Sequence, residues 1–335
     1  MGRSSRFAKS VPMQKRQRLG GDQGHARANV LQGVLPFHRS AGAVALNQRV
    51  GAASIGEADS DGARPRDCRL HATVATLLCR LDRAVALGTD VIEWGCPVPS
   101  FGDLSSAQVA TVGLNPSNRE FVDHLGQELA GEFRRFHTLA SLGLSSWLDA
   151  DARHLRPILV SCQQYFARNP YDTWFKRLEF VVSGAGASFY GPTSNACHLD
   201  LIPFATMRKW TELTTRQRSL LLSIAADTLA LLLRDSPVRV IVLNGRSVVD
   251  HFQSVAGLRL DQEQIPGSTL RRATKPDVGG YGFRGTVSSL SGIPLQHEIL
   301  ILGYNHNLQS SFGVTRGVID AIRTWLSSSV NKETR

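Results

Sequence analysis

Four short, largely apolar runs, residues 108–114, 196–201, 238–244 and 297–303, are spread along the 335-residue chain. A strand is apolar on both of its alternating faces only when both sides of its sheet are covered. Between the runs, apolar residues recur at three- and four-residue steps, which predicts helices. Residues 119–142 and 172–182 separate the first two runs, and residues 214–234 separate the second from the third. The last of these opens with Thr214-x-x-Gln217, the spacing of a capping box. It continues with Leu221, Ile224, Ala225, Thr228, Leu229 and Leu232 at helical intervals. A final helix is expected over 314–326. This alternation predicts an α/β fold, a three-layer α/β/α sandwich around a central, mostly parallel sheet of four strands.

Ahead of the first run, Leu70, Val74, Leu77, Leu78, Leu81 and Val85 predict a helix over 69–88, with Gly88 as its stop. Pro97, Pro99 and Gly102 mark a loop. Residues 266–294 break the alternation. They are rich in Gly, Ser and Arg and read as a long loop and a β-hairpin feeding the last strand. Arg271, Arg272, Lys275 and Arg284 make this segment basic.

Residues 1–67 hold 11 Lys/Arg against 5 Asp/Glu, six of the net charge of +10. They show no sustained period and no secretory apolar core, and are expected to be a disordered basic extension, either a nucleic-acid tether or without function. The folded domain is expected over 68–330. No apolar run approaches the roughly 20 residues of a membrane span. The five cysteines are odd in number and form no Cys-x-x-Cys pair. That argues against a zinc ribbon, an iron–sulfur motif or a disulfide framework, and for a reducing cytoplasm. Trp147, Trp174, Trp210 and Trp325 are read as packing residues. Cys197 falls in a buried strand and is expected to be inert.

Ligands of such sheets sit at the C-terminal ends of the strands. After the first run comes Gly113-Leu114-Asn115-Pro116-Ser117. The Gly permits close backbone approach, and the Asn offers an acceptor for a water and a donor for a base or phosphate. The bland alternative is an ordinary strand–helix turn. After the fourth run comes Gly303-Tyr304-Asn305-His306-Asn307-Leu308-Gln309-Ser310-Ser311, a second Gly-led polar loop. Its Ser310 and Ser311 are suited to phosphates, and His306 to donating a proton to a leaving group or a hydrogen bond to a phosphate.

This pair of loops resembles the uracil-DNA glycosylase superfamily, closest to the mismatch-specific (thymine/uracil) branch. That branch reads Gly-x-Asn-Pro-Gly after its first strand, so Ser117 departs from the last Gly. The second motif reads roughly His/Asn-Pro-Ser-x-Leu-Ser, and in residues 305–310 the Pro is missing. Asn169-Pro170-Tyr171-Asp172-Thr173-Trp174-Phe175 is similar to the aromatic helix start that precedes the branch's second strand. The resemblance spans residues 90–328 in element order.

The resemblance implies a monofunctional DNA glycosylase that works without metal or cofactor. It would flip a base out of DNA, hydrolyse its N-glycosidic bond and leave an abasic site for a separate nuclease. Asn115 would hold the attacking water. Tyr165 or Phe166 would stack on the base, and Asn195, His198 and Asp200 would meet its edge. Leu308 would be the wedge. Ser117, Asn307, Ser310, Ser311, Arg271 and Arg272 would contact DNA. A neutral Asn is a poor general base, so acid–base help in base release would come from His198 or Asp200. The polar approach to the second strand, Tyr190, Thr193, Asn195 and His198, would suit a glucosylated hydroxymethylcytosine, as met by anti-phage defence glycosylases of this superfamily. A uracil or thymine mismatch is the rival substrate. A silent DNA-binding module of the same fold and a Rossmann-like nucleotide enzyme are the competing functions. Against the second, no Gly-x-Gly-x-x-Gly follows one of the four expected strands, and there is no Walker-type loop. No repeat or heptad points to a protein partner.

Overall fold

The apolar runs all become strands of one sheet. The computed structural model describes residues 65–168, 172–191, 194–309 and 313–333. Its main elements are α1 (Pro65–Ala86), β1 (Val109–Gly113), α2 (Ala152–Gln163), α3 (Asp172–Val182) and β2 (Ala196–Asp200). They continue with α4 (Thr215–Ile224), α5 (Thr228–Leu233), β3 (Val240–Asn244), α6 (Arg246–Ala256) and β4 (Asp261–Gln264). The last are β5 (Tyr281–Leu290), β6 (Ile293–Tyr304) and α7 (Arg316–Glu333). The expected extension reaches to residue 67, but α1 already begins at Pro65. Residues 1–64 lie outside the described residues.

The sheet has six strands, not four, in the order β2-β1-β3-β6-β5-β4. The four expected strands are its parallel part. The expected hairpin is β5–β6, antiparallel and turned at Ser291-Gly292. It is much longer than the apolar run alone indicates, because the outer half of β6 alternates half-buried and exposed residues. β4, which reads Asp-Gln-Glu-Gln, has no apolar residue to announce it and is fully exposed.

Alternation along the strands sorts the core into two clusters, one on each face. Val240, Val242, Leu300 and Leu302 pack with α1, α2, α3 and α7. Ile241, Leu243, Ile299 and Ile301 pack with α5 and α6. This is the three-layer α/β/α arrangement.

Residues 119–142 do not form the expected helix. They hold two 3-10 turns, Asn118–Glu120 and Gly131–Phe133, and one short helix, Leu139–Leu142. Gly126 and Gly131 adopt φ of 80° and 57°, and Asp123 Oδ1 accepts from the N–H of Leu125 and Gln127. These local bonds replace the helical ladder. The expected helix over 214–234 is divided at Asp227, whose carboxylate is drawn out to Arg80 on α1 (Nη2–Oδ2 3.0 Å). α2 carries Pro157 in its interior, which masks it in the sequence.

β2 is the sheet edge by order. Phe101 covers it, donating its N–H to the His198 carbonyl (2.8 Å) and accepting from the His198 N–H (2.9 Å). No described helix is long and apolar enough to cross a membrane.

Candidate active site

Thr111 pairs in register with His198, and Gly113 with Asp200, so all four share one sheet face near the strands' C-terminal ends. Asn244 ends β3 on that same face. A polar row there is costly to bury unless its members satisfy one another. They do so at the β1–β2 pair. Thr111 Oγ1 lies 2.7 Å from His198 Nδ1, and His198 Nε2 lies 3.5 Å from Asp200 Oδ1. Both side chains are 3% exposed. Phe101, Trp174 and Phe175 enclose the imidazole at ring separations of 5.4, 5.2 and 5.4 Å.

Gly113 is required by this row. A Cβ there would lie 2.4 Å from Asp200 Oδ1 and 3.0 Å from His198 Nε2. The absent side chain is the space in which the Asp200 carboxylate sits.

Just beyond, Asn115 Nδ2 donates to Thr206 Oγ1 (3.0 Å) and leans toward the Phe204 carbonyl (3.5 Å). Thr206 gives its own proton to the Arg208 carbonyl (2.7 Å), so toward Asn115 it can only accept. The amide is thereby oriented, and its Oδ1 takes no hydrogen bond from the described residues. Ser117 Oγ accepts from the Arg119 N–H and starts the turn Asn118–Glu120. That turn buries Glu120. Tyr165 donates its hydroxyl to Glu120 Oε2 (3.0 Å), and Arg135 Nη1 stands 3.6 Å from the same oxygen. Burial pushes the Glu120 carboxyl up to about 7, and the charge of Asp200 adds to this. Arg135 and the Tyr165 hydroxyl oppose it.

These groups surround a cavity of about 540 Å³. Asn115, Glu120, His198 and Asp200 supply its polar wall, and Trp174, Phe175 and Phe101 its aromatic one. Arg208, Lys209 and the start of α6, Gly245-Arg246-Ser247, also line it. Gly245 and Arg246 give their N–H groups to the carbonyls of Tyr304 and Asn305. Asn244 Nδ2 donates to Gln309 Oε1 (2.8 Å), while its Oδ1 is buried without a partner among the described residues. The sequence matches no family model and no curated protein.

The structure brings Asn115, Ser117, His198, Asp200 and Asn307 together on this wall. It places the other expected site residues elsewhere. Tyr165 and Phe166 are buried in an aromatic cluster off the cavity, with Phe166 stacked on Phe189 at 4.7 Å. Trp174 and Trp210, read as packing, do pack with the core and also line the wall. Asn195 lies at the opposite end of β2, where its Oδ1 accepts from the Ser188 N–H (3.0 Å). His306 is buried with Nε2 2.7 Å from the Ser268 carbonyl, and burial lowers its pKa. Leu308 is fully buried in the core, not exposed at the surface as the wedge expectation requires. Its carbonyl accepts from Arg177. Arg271 pairs with Asp277 (2.8 Å) and Arg272 donates its backbone N–H to the same residue, and neither is among the residues lining the cavity. Ser310, Ser311, Asn169 to Tyr171 and Thr193 lie outside the described residues. Cys197 is buried, and burial pushes its thiol well above the ordinary range.

Among the described residues, no group of three His, Cys, Asp or Glu is placed to hold a metal ion. Sequence reasoning missed Glu120 and the Asn244-Gly245-Arg246-Ser247 turn. The turn had a signal, since it follows one of the four named strands. Glu120 had none, because it falls at the start of the segment expected to be a helix over 119–142.

Proposed function

We propose that this protein is a DNA glycosylase. It draws a nucleotide out of DNA into the cavity and hydrolyses the N-glycosidic bond, leaving an abasic site that a separate nuclease must process. The observation that carries this reading is the oriented Asn115 amide, whose unpartnered Oδ1 stands beside a cavity walled by Asp200, His198 and Trp174.

Asn115 Oδ1 holds the water that attacks C1′. As the C1′–N bond breaks, positive charge grows on the sugar and the electron pair leaves with the base. The buried Asp200 carboxylate stabilises the sugar cation, since a fixed charge in a water-poor site acts strongly. Trp174 and Phe175 offer faces for the extruded base, which offsets part of the unstacking cost. Arg208, Lys209 and the start of α6 receive the flanking phosphates. Met207, 50% exposed between two wall residues, takes the wedge position that the buried Leu308 cannot fill.

The substrate is a modified or mismatched base. A cavity of about 540 Å³ lies within the range of sites that hold drug-sized ligands, with room for a pyrimidine carrying a sugar. That supports glucosylated hydroxymethylcytosine, and with it a role in defence against phage, ahead of a bare uracil or thymine mismatch.

The test is base release, read by mass spectrometry, from duplexes holding uracil and thymine mismatches, hydroxymethylcytosine, its glucosylated forms, or no modification. Release of one base is expected, with loss of at least about 100-fold in Asn115→Ala at unchanged duplex affinity. Tight binding with no release from any duplex would instead identify a silent binding module.

A further inference from the structure

We infer that Glu120 is the general base of this site, the group that takes the proton from the attacking water. This rests on the glycosylase reading and supplies what Asn115 lacks, since a neutral amide holds water but cannot accept its proton at neutral pH.

Three observations point to Glu120. It is a buried carboxyl on the cavity wall, 1% exposed. It is carried on the 3-10 turn that begins three residues after Asn115, behind Pro116 and capped by Ser117, so the two side chains are held by one short, stiff segment. Its other oxygen is fixed from behind by the Tyr165 hydroxyl and faced by the Arg135 guanidinium, which keep the carboxyl in place and able to ionise despite burial.

The other wall carboxylate is differently placed. Asp200 lies against His198 beneath Gly113, in a space a single methyl would fill. It is taken up by that pairing, whereas Glu120 shares the turn that follows Asn115. The charged and titratable groups facing Glu120 are Arg135, Tyr165 and Asp200, and together with burial they hold it near neutrality, where a base works best.

The step balances within the site. The water oxygen bonds to C1′ as the C1′–N bond breaks, and that electron pair leaves on the base. The water's proton passes to the Glu120 carboxylate, which returns it to the departed base or to solvent.

The experiment is single-turnover base release against pH, on a duplex the native chain processes, for native protein, Glu120→Gln and Glu120→Asp. The native rate is expected to rise with pH through about 7. Glu120→Gln is expected to be slower by about 100-fold or more and flat across that window, with duplex affinity unchanged and partial rescue in Glu120→Asp. Tyr165→Phe removes a hydrogen bond that favours the ionised form, so the midpoint of the rate should move to higher pH. It is a second test should Glu120→Gln not fold. A native-like pH rise in Glu120→Gln, or an unmoved midpoint in Tyr165→Phe, overturns the inference and leaves the glycosylase reading intact. No release by native protein from any duplex overturns both.

Discussion

Two Gly-led polar loops leave the C-terminal end of the same sheet, and they have opposite fates. The loop after β1 turns Asn115, Ser117 and Glu120 toward the cavity. The loop after β6 sends His306 and Leu308 into the interior and leaves Asn307 on the wall. Both read alike as strand-end loops. The difference lies in what each side chain finds. Asn115 meets an acceptor hydroxyl that orients it at a cavity, whereas His306 meets a backbone carbonyl and Leu308 meets the packed core. A strand end locates a site, but the partner of each side chain decides whether it serves the ligand or the fold.

The largest effect that would test this contrast is on stability. Leu308→Ala should cost about 4 kcal/mol in urea unfolding, the price of a cavity in a packed core. A loss below about 1 kcal/mol would return Leu308 to the list of surface groups. Gly113→Ala should cost about 3 kcal/mol and also abolish base release, because the added methyl displaces Asp200 and His198 together. Retained activity in that variant would show that the Asp200–His198 pairing is dispensable.

Glu120 gives an effect of similar size that depends on pH. Its folded pKa of about 7 lies above the ordinary 4.5, so the unfolded chain releases the proton first as pH rises. Its contribution is full below about 4.5 and is lost as pH rises through about 7. Native protein should therefore lose about 3 kcal/mol relative to Glu120→Gln between those limits, measured by urea midpoints at several pH values. A constant difference would mean the carboxyl is not held up by burial.

Smaller effects sharpen the contrast. His306→Gln should cost about 1 kcal/mol, the worth of one hydrogen bond, with base release unchanged. Met207→Ala should change stability by less than about 0.5 kcal/mol yet weaken duplex binding about tenfold, the reverse of Leu308.

The strands and their ends were legible because both-faced apolar runs have few other uses. Gly113 and Asn115 were legible because their chemistry is local to one turn. Glu120 was not, since its meaning comes from Tyr165 and Arg135, 45 and 15 positions away in the chain, and from a loop whose glycines defeat a helical pattern. Trp174 was legible as a packing residue but not as a cavity-lining one. A large aromatic packs in a core and lines a cavity with the same sequence signature, and only the empty space beside it tells the two apart. β4 was invisible because an exposed edge strand asks nothing apolar of its residues.

The pairing of Phe101 with His198 has a consequence for how the site breathes. An outermost strand normally exchanges its amide hydrogens with solvent quickly, as fraying opens it first. Here the His198 amide is locked from the outer side by the Phe101 carbonyl, and the ring of Phe101 packs tilted against the imidazole. The strand bearing His198 and Asp200 should therefore exchange as slowly as an interior one. The loop carrying Phe101 then sets how readily the polar row opens to solvent, so a local opening there uncovers His198 and the cavity wall together.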